Sequence, residues 1–170
     1  MDLKAYIRDI PDFPTPGILF KDITPLLRDS RAFRYVVGEF HRRYANQSID
    51  VVVAVEARGF LFGAPLAFSL GLPLALSRKH GKLPFECINA EYALEYGTAI
   101  LEMHKDAVTA GQRVLLVDDL LATGGTLAAS ARLVEELGAS VSGMALVVEL
   151  TELAGRLRLP QYDIFSLVKY

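Results

Sequence analysis

Cysteine is almost absent: Cys87 is the single one in 170 residues. One thiol excludes an internal disulfide framework and fits a reducing compartment. An excess of either charge is also lacking. Lys and Arg number 18 against 20 Asp and Glu, for a formal net charge of -2. That balance gives no basic footprint for nucleic acid. No apolar run approaches the roughly 18 residues that a membrane helix needs, so no membrane contact is expected. The opening residues Met1 to Arg8 hold neither a long apolar core nor a cleavage site, so no secretory signal is read there. Internal repeats, low-complexity tracts and linkers are missing too. What the chain has in quantity is apolar surface. Hydrophobic residues make up 52% and charged residues 22%, which supports a packed core and argues against disorder. The length suits one domain, residues 1–170, and a cytoplasmic location is the default expectation.

Helical patterning covers Leu3 to Ile10. Pro11, Pro14, Pro16 and Gly17 then impose an irregular segment, "PDFPTPGILFKDITPLL". Ser30 is placed to cap a helix from Arg31 to about Ala45, with Phe33, Val36, Val37, Phe40 and Tyr44 on one face. After Asp50, "VVVAV" is a continuous apolar strand. "EARG" follows, then a helix from Phe60 to Leu70 that stops at Gly71. "LPLALS" and "TAILEMH" (98–104) read as strands. The polar stretch from Arg78 to Gly97 shows little periodicity. "VLLV" (114–117) is a strand that ends at two aspartates, and Leu127 to Leu137 is a helix with Gly138 at its end. "VSGMALVVEL" is a strand, Thr151 can cap a short turn ending near Gly155, and "YDIFSLVKY" is the last strand. Apolar strands alternating with helices of about a dozen residues predict an α/β fold with βαβ units and a mainly parallel sheet.

Ligands of such sheets sit beyond the carboxyl ends of the strands. Two strand ends here carry charge where a mere connection needs only polarity. One is Asp118-Asp119, followed by Ala122-Thr123-Gly124-Gly125-Thr126 and a helix. Glycines let backbone N–H groups converge, and the helix N-terminus adds partial positive charge, which makes a phosphate cradle. Both the P-loop lysine and the G-x-G-x-x-G pattern are missing. The two carboxylates would repel a bare phosphate, but they suit a phosphate attached to a sugar whose hydroxyls they accept. That ligand is a ribose phosphate. The other strand end is Glu56-Ala57-Arg58-Gly59. Arg58 offers a forked donor for a diphosphate; taken alone, it reads as a salt-bridged surface arginine. Arg78-Lys79-His80-Gly81-Lys82 supplies four potential cations. "CINAEYALEYG" (87–97) is long enough to be a mobile functional loop, with Gly97 as a hinge.

Strand, acidic pair and "TGGT" cradle together resemble the phosphoribosyl-pyrophosphate signature of the type I phosphoribosyltransferases. "FPTPGILFKDITPLL", "EARGFLFG", "RKHGKLP", "YALEYG" and "VVELTELAGR" narrow the resemblance to the adenine-specific branch, over Ile10 to Tyr170. Phe85 after "KLP" departs from the pattern, where a small or polar residue is expected. The resemblance implies a mainly parallel twisted sheet flanked by helices, a small N-terminal hood (about 1–30) and a flexible catalytic loop (about 79–98). It implies transfer of phosphoribosyl from 5-phosphoribosyl-1-pyrophosphate to adenine, giving AMP and pyrophosphate. Asp118 and Asp119 would hold the ribose hydroxyls, and Ala122, Thr123, Gly124, Gly125 and Thr126 the 5-phosphate. Arg58, Arg78, Lys79, Lys82 and Tyr96 would serve pyrophosphate, Arg78 for a neighbouring subunit of a homodimer. Adenine would lie between Phe20 and Leu150, read by main-chain groups at Leu19, Lys21 and Arg58. Glu95 would manage the base's proton. Magnesium would be held mainly by substrate. Two alternatives stand beside this reading: a phosphoribosyltransferase for guanine or xanthine, and a regulator that uses the ribose-phosphate site as a sensor. The second wants a DNA-binding domain and basic charge, and neither is present.

Overall fold

A computed structural model gives the architecture and describes residues 1–93 and 98–170. These fall into two compact units, Met1–Glu39 and Phe40–Tyr170.

In the first unit a 3-10 turn, Leu3–Tyr6, leads into β1 (Arg8–Pro11), which pairs antiparallel with β2 (Leu19–Asp22). The helix expected over Leu3 to Ile10 is therefore a turn and a strand. Ile10 precedes Pro11, whose ring disfavours helical backbone at the residue before it. The expected irregular arm is likewise half regular, because Leu19–Asp22 completes the ladder. Phe13 is 50% exposed, and the Phe20 ring meets it edge-on with centroids 5.1 Å apart. Next come α1 (Thr24–Arg28) and α2 (Ser30–Tyr44), whose residues from Phe40 onward belong to the second unit. Asp29 caps α2 in place of the expected Ser30. Its Oδ1 accepts from the amides of Arg31 and Ala32 at 2.9 and 3.0 Å. One carboxylate oxygen thereby satisfies two of the donors that a helix start leaves without partners.

The second unit holds β3 (Val51–Val55), α3 (Gly59–Leu70), β4 (Leu74–Lys79), β5 (Cys87–Ala93), β6 (Thr98–His104), β7 (Arg113–Leu121), α4 (Gly125–Glu136), β8 (Ser140–Glu149) and β9 (Ile164–Lys169). Among the described residues these strands form one sheet in the order β5-β6-β4-β3-β7-β8-β9. The stretch from β4 to β9 is parallel, while β6 joins β4, and β5 joins β6, antiparallel. β5 corrects the sequence reading, since residues 87–93 pair in full register with β6 instead of belonging to an irregular loop.

Alternation along the central strands splits their apolar side chains between two helix layers. Val51, Val53, Val55, Val114 and Leu116 share a core with Leu127, Ala131, Leu133 and Val134 of α4. On the opposite parity, Ala54 and Val117 face Gly63 of α3, where an added Cβ would lie 2.5 Å from the Ala54 Cβ. Each such fully buried Val or Leu contributes about 1.5–3 kcal/mol. α3 ends at Gly71 and α4 just before Gly138, as the sequence predicts.

The order of the strands positions the site. From β3 the chain moves through α3 to β4 on one side, whereas β7, β8 and β9 extend the sheet on the other. The order thus reverses between β3 and β7, and a crevice opens beyond the carboxyl ends of that pair.

Candidate active site

A cavity of about 390 Å³ occupies that crevice. Its walls are residues 56–58 after β3, Lys79 at the end of β4, Tyr92, Leu101, and the continuous run 118–127 from the end of β7 into α4.

The acidic pair belongs to β7 itself. The strand continues past Val117 to Leu121, because β8 runs beside it as far as Leu121↔Glu149. The strand expected over 114–117 therefore includes both aspartates. Asp118 and Asp119 are 8% and 4% exposed. Asp118 Oδ1 accepts the Asp119 amide at 2.8 Å. The Asp119 carboxylate accepts from Nε of Arg58, which spans from one strand end to the other. Burial, and then the neighbouring Asp119 charge, push the Asp118 pKa well above the ordinary carboxylate range. α3 begins hard against this pair. A Cβ at Gly59 would lie 2.7 Å from the Val117 carbonyl oxygen and 3.0 Å from Asp118 Oδ1, so only glycine permits the approach.

The loop 122–126 enters α4 through Gly124, whose φ is 81°. Among the described residues, the amides of Thr123, Gly124, Gly125 and Thr126 donate to no protein acceptor. They are unpaired donors at a helix start, aided by its dipole. The loop is held from behind by the segment after β8. A Cβ on Gly124 would lie 2.6 Å from the Gly155 carbonyl oxygen, and one on Gly155 would lie 2.2 Å from that of Ala122. Gly155 precedes Arg156, which forks onto buried Glu149 at 2.5 and 2.7 Å.

The cationic stretch is organised differently. Arg78 forks onto both oxygens of Glu56 at 3.1 Å and donates through Nη1 to the Lys82 carbonyl at 2.9 Å. Burial would raise the Glu56 pKa, but the Arg78 bonds and the Lys79 amide outweigh it and leave it lowered. Lys79 and Lys82 are exposed, and among the described residues neither has a carboxylate at ion-pair distance.

Of the residues chosen from sequence, Arg58, Lys79, Asp118, Asp119 and 122–126 line the cavity. Arg78 and Lys82 stand outside its lining. Leu150, just after β8, donates its amide to the Leu121 carbonyl at 2.9 Å. Leu19, Phe20 and Lys21 lie on β2 of the first unit, where Lys21 is buried and pairs with Asp9 at 2.7 Å. Glu95 and Tyr96 lie outside the described residues. Phe85, the departure from the family pattern, is 61% exposed beside the His104 ring. Sequence reasoning marked Glu56 only as part of a charged strand end, with no partner, and missed Glu102 and Gly155. A charge set in the apolar strand "TAILEMH" was the available signal for Glu102.

The phosphoribosyl transferase domain family matches residues 36–169. An adenine phosphoribosyltransferase from Acaryochloris marina is 57% identical over 170 residues, the whole of both chains. The chain belongs to the adenine phosphoribosyltransferase family. The family's crystal structure from Thermoanaerobacter pseudethanolicus superposes with a TM-score of 0.97 at 56% identity, covering 99% of this chain and 98% of that one. The Saccharomyces cerevisiae enzyme, complexed with an imino-altritol bisphosphate and adenine, matches with a TM-score of 0.92 at 40% identity, over 98% and 96% of the two chains. The architecture derived above, a mostly parallel sheet flanked by helices, is therefore that of the type I phosphoribosyltransferases.

Proposed function

We propose that this chain transfers the 5-phosphoribosyl group of 5-phosphoribosyl-1-pyrophosphate to adenine, giving AMP and pyrophosphate in purine salvage. The observation that carries the reading is the row of unpaired amides at residues 123–126, directly beside two buried carboxylates. A ribose 5-phosphate presents a dianion and a vicinal diol, which call for these two kinds of group. The amides hold the phosphate. Asp118 and Asp119 accept the sugar hydroxyls and favour positive charge on the ring.

The C1–oxygen bond to pyrophosphate breaks ahead of bond formation between C1 and the adenine nitrogen, so the ribose passes through oxocarbenium character. Catalysis is then mostly positioning and electrostatics. Arg58, fixed by Asp119, and Lys79 and Lys82 hold the departing pyrophosphate, with Tyr96 beside it. Glu95 manages the proton of the base. Leu150 packs against adenine, and the main-chain group at Arg58 reads its amino edge. Residues 1–30 form a hood within a single domain. Arg78 serves the neighbouring subunit of a homodimer; its fork on Glu56 must then open.

Magnesium fits as a passenger of the substrate. Arg58 already engages Asp119 and Arg78 engages Glu56. Among the described residues no group of three or more His, Cys, Asp or Glu is placed to hold an ion. Brought in with the substrate, it would supply charge neutralisation of the leaving group, a task that Arg58, Lys79 and Lys82 would share. Among the described residues no helix is long and apolar enough to cross a membrane, and the cytoplasm is the compartment we assign.

Competition among bases tests the reading. With magnesium and phosphoribosyl pyrophosphate, adenine should be converted with rejection of guanine and hypoxanthine reaching about 10⁴-fold, since a wrong base leaves buried polar groups unpaired. Comparable kcat/KM for either competitor overturns the assignment.

A further inference from the structure

We infer that Glu102 is a positioning residue that builds the pyrophosphate-holding loop and acts through Lys82. The inference rests on the reading that Lys82 meets pyrophosphate. Glu102 lies on β6, opposite Arg78 of β4 in the antiparallel register. Its side chain is 4% exposed. Its Oε1 accepts the amides of Lys82 and Leu83 at 2.8 and 2.7 Å, and its Oε2 accepts the Gly81 amide at 3.0 Å. His80 Nδ1 lies 3.2 Å from the same Oε2. Three consecutive N–H groups thus converge on one buried carboxylate.

Just before them, the Lys79 amide donates to Glu56 at 2.9 Å and the His80 amide to the Ile100 carbonyl at 3.0 Å. Every amide from Lys79 to Leu83 therefore has an acceptor on a neighbouring strand or strand end. A turn wrapped this way is part of the scaffold, and the path of its backbone decides where the Lys82 side chain starts. The charges also sort themselves. Glu56 takes Arg78 and Glu102 takes the amides and His80, so the Lys79 and Lys82 ammonium groups stay available for an anion. Fixed carboxylates that hold backbone, with cations left over to hold ligand, are a supporting shell of the kind that sets site geometry.

The test is a set of variants assayed for pyrophosphate affinity, KM for each substrate and adenine affinity. Glu102→Gln keeps the size but turns an N–H toward the amides that the carboxylate accepted. It should raise KM for phosphoribosyl pyrophosphate and weaken pyrophosphate binding by about 10-fold, the effect of losing a charge-assisted bond. Adenine affinity should stay within about twofold. In a Lys82→Ala background the same change should add little, because the two act through one contact. If Lys82→Ala weakens pyrophosphate while Glu102→Gln does not, the inference fails and the assignment of Lys82 stands. If Lys82→Ala itself has no effect, the assignment of Lys82 fails, and the inference with it. Should Glu102→Gln not fold, amide exchange in the wild-type chain decides: protected Gly81, Lys82 and Leu83 support the inference, and free exchange at all three overturns it.

Discussion

Two loops, residues 122–126 and 79–83, offer an anion opposite kinds of donor. In residues 123–126, among the described residues, the amides donate to no protein acceptor and the side chains are small, so backbone N–H groups are open to an anion. In residues 79–83 every amide is taken by a neighbouring strand or strand end, and only side-chain ammonium groups remain. The difference suits the two phosphates. On the proposed reading the 5-phosphate stays on the ribose while bonds break and form at C1, so a rigid cradle can hold it through the chemical step. On the same reading pyrophosphate separates from C1 during that step, and long lysine side chains could follow it without moving the backbone.

The largest effect should come from the carboxylates beside the first loop. Asp118→Asn together with Asp119→Asn should lower kcat/KM by at least about 10³-fold while circular dichroism stays native. A folded double variant with near-normal kcat/KM breaks the sugar-site assignment. Next is Gly124→Ala. A methyl there meets the Gly155 carbonyl, and the residue must keep φ near 81°. Calorimetry should show ribose 5-phosphate affinity reduced by about 30-fold and pyrophosphate affinity nearly unchanged, since only one loop is displaced. Smaller still is Lys79→Ala. It should weaken pyrophosphate by about 10-fold at low ionic strength, and the difference should shrink as salt rises, because an exposed charge is screened. Equal salt dependence for the Gly124 and Lys79 variants would erase the distinction between the loops.

A pH effect of a few fold sharpens the same picture. Asp118 titrates above the ordinary carboxylate range because it is buried and lies beside Asp119. As pH falls through that raised value Asp118 gains a proton and loses an acceptor for the sugar hydroxyls, so phosphoribosyl pyrophosphate affinity falls. Folding responds in the opposite direction. The folded chain binds this proton more tightly than the unfolded chain, so the group's contribution to stability is full below the unfolded pKa and is lost as pH rises through the folded one. In Asp118→Asn both trends should flatten, as read by affinity and by denaturant midpoint across the same pH series.

The two loops also differ in how far the sequence revealed them. The 122–126 cradle was legible because its parts are contiguous: an apolar run, two acids, glycines, then helical spacing. Its backing by Gly155 was hidden, since nothing local marks a glycine that another backbone will touch. The 79–83 loop read only as a run of cations. Its order comes from Glu56 and Glu102, whose donors lie far along the chain. β5 and the β1–β2 ladder were missed for the same reason, as strands that exist through pairing carry a weak signal of their own. The capping error was of a different kind. Asp29 and Ser30 are both good caps, and a one-residue choice between them is below what local pattern resolves.

The division of labour is tested most directly by following backbone amide resonances of the wild-type chain during two titrations. Ribose 5-phosphate should shift the amides of Thr123 to Thr126 strongly and leave those of Gly81 to Leu83 nearly still. Pyrophosphate with magnesium should perturb the Lys79 and Lys82 side chains, with the amides of Gly81 to Leu83 still protected by Glu102. Strong shifts and lost protection at Gly81 to Leu83 on binding pyrophosphate, or silent amides at residues 123–126 on binding ribose 5-phosphate, would contradict the account.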